Sequence, residues 1–116
     1  MSYKYYINQK DGKYYFGLYP NNNNRESIGI SGLYNSEKAA QEAINRFRSL
    51  IKDASNVYNL FETVCETNVI PKYKFVLKEN QYNIVFQREK LYEHKYEVKK
   101  GIGRITKNID APIKTK

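Results

Sequence analysis

The chain of 116 residues has no tryptophan, one cysteine and one histidine. With Cys65 alone there is no internal disulfide and no cysteine cage for a metal. With His94 alone, any Ser-His-Asp or Cys-His site would depend on one imidazole. No stretch approaches the roughly 20 apolar residues of a membrane-spanning helix, so no membrane role is expected. The opening residues, Met1-Ser2-Tyr3-Lys4-Tyr5, lack the apolar core of an export signal. The cytoplasm is therefore the expected compartment. The P-loop and dinucleotide fingerprints are missing, as are carboxylates and imidazole at metal-ligand spacing. The chain reads as a non-enzyme that implies no cofactor.

Tyrosine and positive charge are abundant. There are twelve tyrosines, a residue suited to half-buried strands and to binding surfaces alike. The net charge is +8, and it is uneven. Residues 1–70 hold eight basic and seven acidic side chains, whereas residues 71–116 hold twelve and five. Such a second half can attract polyanions, or can serve solubility alone.

Periodicity orders the chain. Tyr3 to Asn8 alternates as a strand, and Asp11-Gly12 supplies a hairpin turn. Lys13 to Tyr19 forms the second strand, with Tyr14, Phe16 and Leu18 inward and Tyr15, Gly17 and Tyr19 outward. A polar loop spans Asn21 to Asn24, and Ser27 to Ser31 makes a third strand. Asn35 or Ser36 can cap a helix whose stripe is Ala40, Ala43, Ile44, Phe47, Leu50 and Ile51. Tyr58 to Thr67 is extended, and Asn68 to Pro71 turns the chain. Lys72 to Lys78 and Tyr82 to Gln87 are further strands. A second helix runs from about His94 to Lys107. Gly101 and Gly103 each cost it about 1 kcal/mol; Gly101 falls where Ala43 sits in the first half and permits close packing on the sheet, whereas Gly103 has no such role and leaves the helix short or frayed. Ala111 to Lys114 makes a short edge strand, where Pro112 is tolerated.

The second half echoes the first. Lys13-Tyr14-Tyr15-Phe16-Gly17-Leu18 returns 59 positions on as Lys72-Tyr73-Lys74-Phe75-Val76-Leu77. Leu33-Tyr34, Ile44, Arg46 and Ile51 return 58 positions on as Leu91-Tyr92, Ile102, Arg104 and Ile109. The expected architecture is one compact domain, 1–116, made of two repeats at about 1–56 and 57–116. These blocks, with Tyr34-Asn35-Ser36 and Ala43-Ile44 in one copy and Gly101-Ile102 and Lys107-Asn108 in the other, resemble the YegP-like family of small bacterial domains of unknown function. The resemblance implies an α+β fold: two β3-α-β units sharing one antiparallel sheet, with the helices packed on one face. It also implies that Val57–Val64 and Ala111–Lys114 cross between the units. His94 departs from the serine cap expected at its position. The family supplies no catalytic residue.

The candidate binding residues follow from charge and pattern. The sheet face away from the helices is expected to carry Tyr6, Tyr15 and Tyr19 for base stacking, with Lys72, Lys74 and Lys78 for phosphate. Lys95, Lys99, Lys100 and Arg104 extend the candidate polyanion surface along the second helix. An ordinary wetted sheet face would carry similar residues. Cys65 reads as a small core residue, His94 as solvated, and Glu62 and Glu66 as no acid–base pair. The function read here is a small basic non-enzymatic module contacting nucleic acid or a ribonucleoprotein through the second repeat. The alternative is an adaptor or inhibitor that binds an acidic protein partner. A domain without a dedicated ligand is a third reading. The chain is expected to be a monomer with internal pseudo-symmetry, or a dimer.

Overall fold

A computed structural model describes residues 2–22, 26–67, 69–81 and 83–115. Asn23 and Asn24 of the expected polar loop, Asn68 of the expected turn and Tyr82 of the expected strand lie outside these residues. The first hairpin joins β1 (Tyr3–Lys10) to β2 (Lys13–Pro20). Asp11 and Gly12 both take positive φ, 53° and 77°, which lets a two-residue turn follow the strand twist. β3 (Gly29–Ser31) pairs with β2. Helix α1 (Glu37–Asp53) begins at Ser36, whose hydroxyl accepts from the Ala39 amide at 3.0 Å. This satisfies one of the amides that a helix start leaves open.

A 3-10 turn, Val57–Leu60, leads into β4 (Phe61–Cys65), β5 (Tyr73–Lys78) and β6 (Ile84–Gln87). Helix α2 (Tyr96–Lys107) and β7 (Ile113–Thr115) follow. The seven strands form one sheet in the order β4-β5-β6-β3-β2-β1-β7. β3 and β6 meet antiparallel at its centre, through Ile30 opposite Gln87 and Ser31 opposite Phe86. The sheet is mixed, which corrects the expectation of a purely antiparallel one: β7 runs parallel to β1. The chain reaches that edge over α2 rather than through a hairpin, and a helical crossover permits parallel neighbours.

One core joins the halves. Phe16, Phe47, Phe75 and Phe86 are all buried. Phe86 lies 4.5 Å from Phe47, 5.9 Å from Phe16 and 6.3 Å from Phe75, ring centre to ring centre. The α2 residues Val98, Ile102 and Ile105 complete the same cluster. Five of the six residues in the expected α1 stripe are buried, but Leu50 is exposed. It borders a surface groove with Lys78 and Val85 that the described residues leave open. Cys65 is also exposed, contrary to its core assignment, because it ends β4, the outermost strand of the sheet.

Candidate polyanion cleft at the second helix

The sequence candidates divide between two faces of the sheet. Tyr19 is 4% exposed and has no free ring face for a base, which corrects its assignment to stacking. Its ring folds over Gly17, where a Cβ would stand 2.6 Å from Tyr19 Cε1. Tyr6 packs edge-on against it at 6.2 Å, and Asn8 Nδ2 donates to its hydroxyl at 3.1 Å. Burial, helped by the nearby Tyr15, pushes the Tyr19 phenol up to about 12. Tyr6 and Tyr15 are half-buried. In the second half, the expected lysines of the outer face are paired. Lys74 meets Glu66 at 2.8 Å and Lys78 meets Glu62 at 3.5 Å, while Lys72, just before β5, meets Glu93 at 3.4 Å. The β4–β5 register places Glu62 and Glu66 beside the β5 lysines, so this face is close to charge-balanced.

The α2 cations lie on the helix side of the sheet. Lys95, Lys99, Lys100 and Arg104 are exposed, and none makes an ion pair among the described residues. They flank the helix in two rows at i, i+4 spacing. Lys95 and Lys99 border a groove beside β4, and Lys99 lies 5.5 Å from the Tyr58 ring centre. Lys100 and Arg104 point to the opposite flank.

On that flank a cleft of about 710 Å³ opens between the end of β6 and α2. Arg88, Arg104 and Lys72 line it with Tyr92, Glu93, His94 and Glu97. The Arg88 guanidinium is fixed from three sides. It donates to the carbonyls of Ser27 at 3.0 Å and Lys90 at 2.6 Å, and it stacks 4.3 Å from the Tyr92 ring centre. Burial lowers its pKa from the ordinary arginine value, but a guanidinium remains charged. The Tyr92 hydroxyl is buried without a hydrogen-bond partner among the described residues. Burial raises that phenol, opposed by Arg88 and Arg104. Arg104 lies close enough to act on its charge, without closing a bond of good geometry. Tyr34 and Arg46 stand in the same relation in the first half, which accounts for the arginine recurring after each Leu-Tyr pair.

At the start of α2, the rings of His94 and Tyr96 stack at 5.4 Å, with Lys100 5.2 Å from the Tyr96 ring centre. Tyr96 is 62% exposed. The aromatic–cation combination sought on the sheet face is present here instead, built from Arg88, His94, Tyr96, Lys100 and Arg104. Arg88 and Tyr96 were not singled out by the sequence. Arg88 corresponds to Ile30 at the repeat offset of 58, so the repeat does not mark it, and Tyr96 sits in a segment read only for charge. His94 is exposed, as expected.

Residues 9–57 match the family model of DUF1508, a domain of unknown function. No curated protein matches the sequence. The solution structure of YegP from E. coli, a protein of unknown function, superposes with a TM-score of 0.74 at 23% identity, covering 99% of this chain and 93% of that one. The fold is YegP-like. A UPF0339 protein from Shewanella oneidensis is similar at 21% identity and a TM-score of 0.73, covering 99% of this chain and 92% of that one. The YegP-like resemblance carried by the repeated blocks therefore holds: the family model covers the first half, and the fold extends over the whole chain. No helix among the described residues is long and apolar enough to cross a membrane.

Proposed function

We propose that this YegP-like protein is a non-enzymatic module that binds single-stranded nucleic acid at the α2 cleft. One observation carries the reading: among the described residues, Arg88, Lys100 and Arg104 have no carboxylate partner within ion-pair distance, while Lys74 and Lys78 on the outer face and Lys72 at the cleft mouth do. Unpaired cations neutralise phosphates at little cost, and the exposed Tyr96 beside them offers a ring to a base. Glu93 and Glu97 border the same cleft and select against a path deep inside it, so the strand would run along the Lys100–Arg104 rim. The site belongs to the second of two copies of one unit. Supporting this duplication, Tyr14 bridges to Tyr34 and Tyr73 bridges to Tyr92 at corresponding positions.

The test is a fluorescence titration with a labelled single-stranded oligonucleotide across a range of salt. Binding is expected to weaken with salt, and Lys100→Ala with Arg104→Ala should cut the salt slope by roughly one per lost phosphate contact. Tyr96→Ala should weaken binding by about 1–3 kcal/mol. Tyr15→Ala, on the opposite face, should change nothing. Absence of binding at low salt would sink the proposal, as would binding indifferent to the α2 substitutions.

A further inference from the structure

The sheet ends differently at its two edges. At one edge β1 is covered by β7, with Ile113 packed against the core. At the other, β4 has no strand beside it among the described residues. The two edges correspond residue by residue. Tyr5 stands opposite Leu18 in the β1–β2 pair, and Phe61 stands opposite Leu77 in the β4–β5 pair. Two positions on, Ile7 faces Phe16 and Thr63 faces Phe75. Ile7 is 4% exposed, whereas Thr63 is exposed.

Main-chain directions correspond too. The Tyr5 amide points off the sheet and donates to the Pro112 carbonyl at 2.8 Å. On β5, Tyr73 and Phe75 spend main-chain groups on Tyr92 and Arg88, away from β4, while the Glu66 amide bonds Lys72. Antiparallel alternation then turns the amides and carbonyls of Phe61, Thr63 and Cys65 outward, to the open edge. Above that edge lies a mainly apolar groove of about 500 Å³. Tyr58, Phe61 and Thr63 form one wall, and Val98 and Ile102 form the other. Lys95 and Lys99 stand at its rim.

We propose that β4 is a strand-addition site for an extended, acidic segment of a partner protein. The segment pairs parallel to β4 as β7 pairs with β1, seats one aliphatic side chain in the groove as Ile113 is seated, and sets carboxylates against Lys95 and Lys99. Main-chain bonds to an open edge supply affinity, and the groove and its charges supply selection. A second copy of this chain is a poor occupant. Its own edge segment is basic at Lys114, and edge-to-edge pairing would bring two sets of Lys95 and Lys99 together. The first half also secures its strand with contacts that have no equivalent in the second half among the described residues. Arg48 Nη2 donates to the Ala111 carbonyl at 2.6 Å, and Tyr5 Oη donates to the Ile109 carbonyl at 2.7 Å. Phe61 has no hydroxyl for that purpose, so a segment at β4 is exchangeable.

The groove shares Tyr96 with the nucleic-acid rim, but the cations differ: Lys95 and Lys99 border the groove, and Lys100 and Arg104 lie on the other flank of α2, so substitutions at each pair let either site fail alone. The probe is a synthetic peptide with the sequence of residues 110–116 and both lysines replaced by glutamate, titrated into 15N-labelled protein. Shifts and slowed exchange are expected at the Phe61, Thr63 and Cys65 amides. Thr63→Pro should weaken binding at least about tenfold while the fold persists, since its amide points off the sheet. Lys95→Glu with Lys99→Glu leaves the main chain intact and should also weaken it about tenfold or more. The unaltered basic peptide should bind worse than the acidic one. Three results overturn the proposal: no response at β4 with millimolar peptide, equal binding of the two peptides, or a dimer of the free protein that Thr63→Pro dissolves.

Discussion

Gly101 and Gly103 occupy the same helix, two positions apart, under opposite constraints. A Cβ on Gly101 would fall 2.3 Å from the Tyr92 hydroxyl and 3.2 Å from the Phe75 ring, both in the core. The helix can approach the sheet there only without a side chain. On Gly103 a Cβ would meet nothing nearer than the Tyr58 hydroxyl at 3.6 Å, an ordinary contact. Gly101→Ala should therefore destabilise the protein by about 1–3 kcal/mol through overpacking. Gly103→Ala should stabilise it by up to about 1 kcal/mol, the usual helix gain. Urea denaturation of the two variants checks both signs, and a stabilised Gly101→Ala would show that the Tyr92 ring yields. The sequence marked Gly101 as a packing position because it falls where Ala43 sits. The same sequence misplaced Tyr19: strand alternation gave the face its side chain takes, but not the ring folding back over Gly17.

Helix α1 starts on a serine cap, and α2 lacks one. Lys95, which precedes α2, makes no side-chain cap bond among the described residues, although Glu97 reaches back to accept from the His94 amide at 3.0 Å. Half of a capping box is thus present. His94→Ser should supply the other half and raise stability by about 1 kcal/mol, readable as a higher melting temperature. An unchanged or lower value would mean that the His94–Tyr96 stack is worth as much as a cap. Elements with a strong local signal were legible: the Asp11-Gly12 hairpin, both helices and the paired Leu-Tyr corners. What could not be read depends on neighbours distant in sequence. No local pattern gives the β4–β5 register, which pairs Lys74 and Lys78 with Glu66 and Glu62. Nor does any pattern give the direction of β7, which the α2 crossover decides. The α2 cleft was half legible: Arg104 came from the repeat, whereas Arg88 gains its meaning only from the carbonyls of Ser27 and Lys90 that hold it.

At the scale of the whole molecule, tyrosines couple stability to alkaline pH. Burial raises the phenols of Tyr5, Tyr15, Tyr19, Tyr34 and Tyr92 above their ordinary value of 10.0, and Tyr19 reaches about 12. The folded state thus holds these protons more tightly than the unfolded chain. Stability is full below about pH 10 and is lost as pH rises toward 12, because only the unfolded chain ionises freely in that window. Denaturation midpoints measured between pH 8 and pH 12 should be level at first and then fall, with a shallower fall in Tyr19→Phe. A flat profile through pH 11 would contradict the burial of these phenols.

The pairing of β7 with β1 also sets a schedule for synthesis. The Tyr5 hydroxyl is buried against the Ile109 carbonyl, 104 positions later in the chain, and the Tyr5 amide bonds Pro112. Translation produces Tyr5 more than a hundred residues before these partners. On the ribosome, β1 must wait with its outer edge bare until residues 109–115 have left the exit tunnel. Completion of this fold therefore waits for its last strand, and the nascent first half is a natural client for whatever shields unpaired strands near the ribosome.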